Sequence, residues 1–446
     1  THSQRLRGTD FIHGLLVVCG SVWPSEATLG VGPDLGFGDC TDQFEAGQAS
    51  ASMDTVWWIE SEPILELGLI GGADQYEFFQ IQGATRLSTG AIVVLDGGSS
   101  QLRAFSPDGN HVWTAGGRGD GPGEMKSPTH IERLPDDFLQ VQDGVYRIRY
   151  APDGTLAAHD RLAVEDLSAL RFFAWECPVP GFVGDHVLAC RSNSDVRQMP
   201  RQTGPWRIET QLALLPWQLN DITLLGRFLQ EEAWVLPLEQ TEFAGLRGYA
   251  SPPMSQRGLF AVGGWPRKLV FAENSADFVQ VFDFARDSVP HGVSISIRNV
   301  RRPPTADELA AAWEAASDRR LNRDRVGYLK THLPSPDSIP NLEDLVVDDL
   351  GMVWVGSYHL GSSAPQWYDV YDTQGLLLAR VAIPTGVEVL EIGSDYVLGI
   401  TRDDLGVERI VLLNLVRGVG TGEAGQGSTD SVSTNTRSFH VTGGDR

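Results

Sequence analysis

Positive charge is scarce in this 446-residue chain: 35 Lys and Arg stand against 58 Asp and Glu, a formal net charge of −23. Phosphate is held by clustered Lys and Arg, so nucleic acid and anionic membrane surfaces are poor partners. Solubility, cationic partners and divalent ions remain open. Long apolar runs are missing too. No stretch reaches the roughly eighteen residues that a membrane span requires. Cysteine is rare, and the four present (Cys19, Cys40, Cys177, Cys190) show no C-x-x-C spacing, which removes zinc-knuckle and thioredoxin-type sites. G-x-S-x-G, H-E-x-x-H, an EF-hand loop, G-x-x-x-x-G-K-[ST] and G-x-G-x-x-G are all absent. The ten histidines are scattered without metal-ligand spacing and read as surface or satisfied side chains. No catalytic residue, resident metal or organic cofactor is called for; a divalent cation is the one addition the acidic balance leaves open.

What the chain has in quantity is turn-formers and aromatics, with Gly 49, Pro 25 and Trp 12. That mixture favours many short strands. Three segments align: "QLRAFSPDGN" (Gln101–Asn110), "YRIRYAPDGT" (Tyr146–Thr155) and "WYDVYDTQGL" (Trp367–Leu376). In each, an aromatic (Phe105, Tyr150, Tyr371) stands four residues before a glycine (Gly109, Gly154, Gly375), and the first two glycines are 45 residues apart. Each reads as a strand ending in a tight turn that needs positive φ. A fourth copy, "VQVFDFARDS", keeps Phe282 but has Arg286 at the glycine position. Short β-branched strands precede the copies: "GAIVVLD", "DFLQVQD", "KLVFAEN" and "GMVWVGS". Such four-stranded units cannot bury both faces alone, but several arranged radially can.

The expected fold is therefore all-β, a six-bladed β-propeller over residues 54–417; five and seven blades are the other counts the pattern admits. Blade three is read as Leu170–Phe228 with a long excursion. Blade six combines Val389–Val416 with the early strand Asp54–Leu67, so the chain ends pair and no sheet edge is left open. Trp57, Trp58 and Trp354 are read as strand core. One helical insertion, about 303–332, opens with Thr305 as N-cap and Glu308 three residues later, a capping box, with Leu309, Trp313 and Ala316 on one stripe; it is expected to lie over a face of the ring. Residues 418–446 are Gly-, Ser- and Thr-rich and are expected to be disordered.

Residues 1–53 read as a leader and linker. "THSQRLR", the apolar "FIHGLLVVCGSVW" and the small residues of "SEA" have the layout of a secretory signal. "LVVC" is a degraded lipoprotein box that would anchor a lipid at Cys19. The expected location is extracytoplasmic, periplasmic or at the cell envelope. Cys177 and Cys190 bracket a hairpin turning near Gly184-Asp185. A two-residue turn there pairs Val179 with Cys190 and leaves Cys177 out of register, so a disulfide and two free buried thiols are both open.

The stretch "GGRGDGPGE" (Gly116–Glu124) connects the last strand of blade one to the first of blade two. It reads as a structural crossover, with "RGD" a chance tripeptide. "GRGDGPGE" after "STGAIVVLDGGSSQLRAFSPDG", with "LEDLVVDDLGMVWVGSY" and "EIGSDYVLGITRDDLGVERI", resembles bacterial six-bladed propeller proteins related to NHL repeats. The chain departs from that pattern at Met125, where an aromatic usually follows the Glu, and at Arg286. Such proteins build sites from loops of different blades, so Arg118, Asp120, Glu124 and His130 are the candidate ligand-binding residues: an anion clamp, carboxylate ligands and a general base, or alternatively a structural ion-pair network. The expected function is a non-catalytic binding module docking a protein or glycan partner; the alternative is a metal-assisted hydrolase or lactonase.

Overall fold

A computed structural model describes residues 56–69, 71–161, 182–183, 186–192, 199–216, 223–236, 248–284, 291–318, 323–359 and 365–418. Cys19, Cys177, Arg286, the leader, the tail beyond Gly418 and the side chain of Ala316 lie outside these residues. Six antiparallel sheets follow one another along the chain. Blade one is Ile81–Gly116, blade two Pro128–Arg161, blade four Gly258–Ser296 and blade five Leu342–Ile383. Blade three, Phe182–Ala250, has five described strands, two of them 13 residues long. The first strands stand side by side around an axis: Ile81–Arg86 beside Pro128–Arg133, Gly258–Gly263 beside Leu342–Val347, Leu342–Val347 beside Glu388–Ile392, and Glu388–Ile392 beside Ile81–Arg86 again. The molecule is a six-bladed β-propeller.

Blade six joins the two chain ends. Its own strands are Glu388–Ile392, Tyr396–Arg402 and Glu408–Arg417, and Trp57–Ile59 and Leu65–Leu67 pair along the last of them. Trp57 faces Arg417 and Ile59 faces Leu415; further on, Leu65 faces Leu412 and Leu67 faces Ile410. Arg417 fastens this seam. Its guanidinium lies 4.6 Å from the Trp57 ring centre and donates to Asp348 Oδ2 at 2.8 Å and to the Gly393 carbonyl at 2.7 Å. Asp348 is fully buried and also accepts from Trp354 Nε1 at 3.0 Å. Trp354 is wholly buried and Trp57 packs beside it, but Trp58 is 47% exposed. The expectation of three core tryptophans fails at Trp58 because alternate residues of an outer strand point to solvent.

The core is divided into layers between blades. Ile92 and Val94 face blade six, whereas Val93 and Leu95 face blade two. Both faces of this second strand are covered, which is why "IVVLD" is an unbroken apolar run rather than an alternating one. Blades three and four meet through Leu188, Leu212, Phe228, Phe271 and Phe282, and blades five and six through Trp354, Tyr368, Val381, Val397 and Leu413. The repeat glycines have the positive φ that their turns require: 81° at Gly109, 82° at Gly154 and 85° at Gly375.

The helical insertion consists of α1 (Ala306–Asp318) and α2 (Arg323–His332). The capping box is formed: Thr305 Oγ1 accepts from the Glu308 amide at 3.2 Å, and Glu308 Oε2 accepts from the Thr305 amide at 2.8 Å. Trp313, Val326, Leu329 and Leu333 pack with Trp234, Leu236 and Ala250. The helices thus pack against the outer part of blade three. Phe182 faces Val187 and Val183 faces His186, the two-residue turn register expected around Gly184-Asp185. Cys190 is disulfide-bonded, and the other three cysteines all lie outside the described residues.

Candidate functional site

The crossover Gly117–Ser127 is bound to blade two by its backbone. The Tyr150 hydroxyl donates to the Gly123 carbonyl at 2.6 Å, His159 Nδ1 accepts from the Gly123 amide at 3.0 Å, and Asp143 accepts from the Lys126 and Ser127 amides at 2.8 and 2.7 Å. Met125 is fully buried in the layer between blades one and two. Arg118 donates to the Gly98 carbonyl at 3.2 Å, Glu124 accepts from the Gly121 amide at 2.7 Å, and Asp120 pairs with Lys126 at the surface. These three side chains do not line the axial cavity. His130 does.

That cavity, of about 230 Å³, runs along the propeller axis. Five blades contribute its described lining, notably His130, Glu132 and Arg133 from blade two, Trp265 and Arg267 from blade four, Asp344 and Asp349 from blade five and Glu391 from blade six. At the end where the first strands turn back, ion pairs cross the axis. Arg133 Nη2 meets Asp349 Oδ2 at 2.9 Å, joining blades two and five, which stand opposite each other. Arg267 Nη2 meets Glu132 Oε2 at 3.1 Å and the Arg133 carbonyl at 3.2 Å. Arg133 Nη1 also donates to the Arg86 carbonyl at 2.9 Å. Trp265, 41% exposed, covers Arg267 with its ring centre 4.6 Å from the guanidinium carbon.

Burial governs the protonation of this lining. It raises Glu132 to about 7, opposed by Arg267, the Gln140 hydrogen bond and Arg149. Burial, helped by the charge of Arg267, lowers His130 to about 4, so the imidazole is neutral at physiological pH. Asp349, Asp344 and Glu391 are also raised, first by burial. Glu391 accepts from Thr85 Oγ1 at 2.5 Å, from the Arg86 amide at 3.1 Å and from the Tyr396 hydroxyl. Asp344 accepts from the Tyr368 hydroxyl at 2.6 Å and the Leu345 amide at 2.8 Å. Among the described residues, no group of three His, Cys, Asp or Glu converges as a metal site would demand. The arrangement can do two things: present donors and a neutral imidazole to a small ligand, and exchange a proton at Glu132 near neutrality.

Glu132, Arg133, Arg267, Asp349 and Glu391 were not foreseen, because residues on separate blades form no linear motif. One signal existed. "GATR" and "HIER" end the first strands of blades one and two with identical burial patterns, placing Thr85-Arg86 and Glu132-Arg133 in equivalent positions.

No protein-family model and no curated protein sequence matches the chain. Solved structures do resemble it. A DUF4221 family member from Bacteroides vulgatus superposes with TM-score 0.45 at 9% identity, covering 82% of this chain and 100% of its own. Regucalcin, a calcium-binding protein from Agrobacterium tumefaciens, gives 0.35 at 11% over 82% and 98%. Virginiamycin B lyase from Staphylococcus aureus gives 0.36 at 9% over 79% and 99%. The likeness is one of overall chain path, and no residue role is carried over from it.

Proposed function

We propose that this propeller is an extracytoplasmic, non-catalytic binding module of the NHL-like kind, which docks a glycan or protein partner at its axis. The observation that carries this reading is the axial cavity, where the His130 ring lines the wall with no hydrogen bond to a described residue and Trp265 offers an exposed ring at the same site. Ligand sites commonly set a few placed polar groups beside apolar and aromatic walls. The signal-like layout of the first residues supports a place outside the cytoplasm. No helix among the described residues is long and apolar enough to cross a membrane.

The test is an array of defined glycans and peptides probed with the purified chain and with Trp265→Ala and Arg133→Ala. Saturable binding to a related set of ligands is expected, weakened at least about tenfold in both variants. Absence of any saturable binding, or full binding by both variants, would refute the reading.

One observation favours a second reading, a metal-assisted hydrolase or lactonase. Glu132 titrates at about 7 inside the cavity, which suits a general base. Turnover of a lactone and ester panel that depends on a divalent cation and is lost in Glu132→Gln would establish it in place of the first.

A further inference from the structure

Hydrogen-bonding capacity in the axial cavity is unevenly spent. Every carboxylate of the lining is engaged: Glu132 by Arg267 and Gln140, Asp349 by Arg133, Asp344 by Tyr368 and the Leu345 amide, and Glu391 by Thr85, the Arg86 amide and Tyr396. The donors are not. Arg267 Nε is buried without a partner, and neither its Nη1 nor the His130 ring has a hydrogen bond to any described residue. An N–H buried without a partner, as Arg267 Nε is, carries the desolvation cost of its unmade bond. What the cavity lacks is an acceptor.

Charge narrows the choice further. Four carboxylates (Glu132, Asp344, Asp349, Glu391) stand against two guanidiniums (Arg133, Arg267) in the lining, so a further uncompensated negative charge is resisted. One group can yield. Glu132 faces Arg267 from blade four and Arg149 within its own blade, beside His130 on its own strand, with Arg133, Asp349, Asp344 and Glu391 completing the lining. We propose that the axial cavity binds a small monocarboxylate, free or as the acid group of a uronic-type sugar, whose carboxylate takes Arg267 in exchange for Glu132. Glu132 then accepts a proton from solvent and becomes a neutral acid, so the ligand brings one negative charge and the protein discharges one. This rests on the reading of the cavity as the ligand site, and it names the ligand group. Burial holds Glu132 near about 7, which makes that proton cheap at neutral pH.

The experiment is calorimetric titration of the full chain with glucuronate, lactate and glucose between pH about 5.5 and about 8.5, in two buffers of different ionisation enthalpy. One or both carboxylates should bind and glucose should not; which of them binds identifies the source. Proton uptake should rise from nearly none below about pH 6 to about one per ligand above about pH 8, with affinity falling roughly tenfold per pH unit above about 7. Glu132→Gln, a permanent mimic of the protonated acid, should bind at pH about 8 as tightly as the native chain does at pH about 6, without pH dependence. Arg267→Gln, checked for folding by its melting curve, should lose at least about tenfold. Equal binding of glucose, an unchanged pH dependence in Glu132→Gln, or no binding of either carboxylate to native chain and Glu132→Gln would overturn the proposal. Full array binding by Arg267→Gln would overturn it while leaving the axial docking reading intact.

Discussion

His130 and Glu132 sit two residues apart on one strand and pull stability in opposite directions with pH. Glu132 is raised from 4.5 to about 7, so the native state holds a proton that the unfolded chain releases. Its favourable contribution is complete below about 4.5 and is lost as pH rises through about 7. His130 is lowered from 6.5 to about 4; its contribution is complete above about 6.5 and is lost as pH falls through about 4. In the overlap these two slopes oppose each other. Chemical denaturation of single variants should separate them. Glu132→Gln should gain stability with rising pH between about 4 and 6.5, by an amount on the order of 2–3 kcal/mol, and His130→Gln should lose a similar amount between about 4.5 and 7. Parallel pH profiles for the two variants would contradict this account. Neither residue's environment could be read locally, since Arg267 is supplied by another blade.

Single elements were the most legible scale, because turn chemistry and capping act within a few residues. The aromatic-to-glycine spacing located turns at Gly109, Gly154 and Gly375, and all three are left-handed. The Thr305–Glu308 box was visible as two letters and exists as two hydrogen bonds. Gly154 adds a second constraint that only packing shows: a Cβ there would lie 2.7 Å from the Trp113 ring of blade one. Gly154→Ala should therefore cost more than the roughly 1 kcal/mol of a left-handed alanine alone, about 2–3 kcal/mol by denaturant midpoint. A change below about 0.5 kcal/mol would show that the ring swings away freely. The destination of the helical insertion was not legible, since its apolar stripe states that it packs and not against what.

At the scale of the molecule, closure decides stability. Each interblade layer is shared, so the ring is as cooperative as its seam, where strands from both chain ends pair and Arg417 reaches Asp348. Removing one partner of a buried pair leaves the other charge uncompensated. Asp348→Ala should destabilise the fold by about 3–5 kcal/mol and open the seam first, read as faster hydrogen exchange at Trp57–Ile59 than in blade one. Uniform exchange across both would mean the seam does not open ahead of the rest. The crossover glycines, Cys190 and the long strands of blade three belong to this same framework rather than to the axial site.

The amino-acid sequence by itself determined the repeated strands, their turns and the pairing of the two ends, because short-range periodicity and a repeated unit are written along the chain; the count of six, left open against five and seven, came from the folded sheets. Only the tertiary structure decided which side chains meet at the axis. Arg133 and Asp349, and likewise Glu132 and Arg267, are far apart in sequence and neighbours solely because radial packing turns the first strand of every blade towards one line. That convergence, with the desolvation it imposes, creates a carboxyl raised to about 7 and a guanidinium Nε–H without a partner that no linear motif could announce.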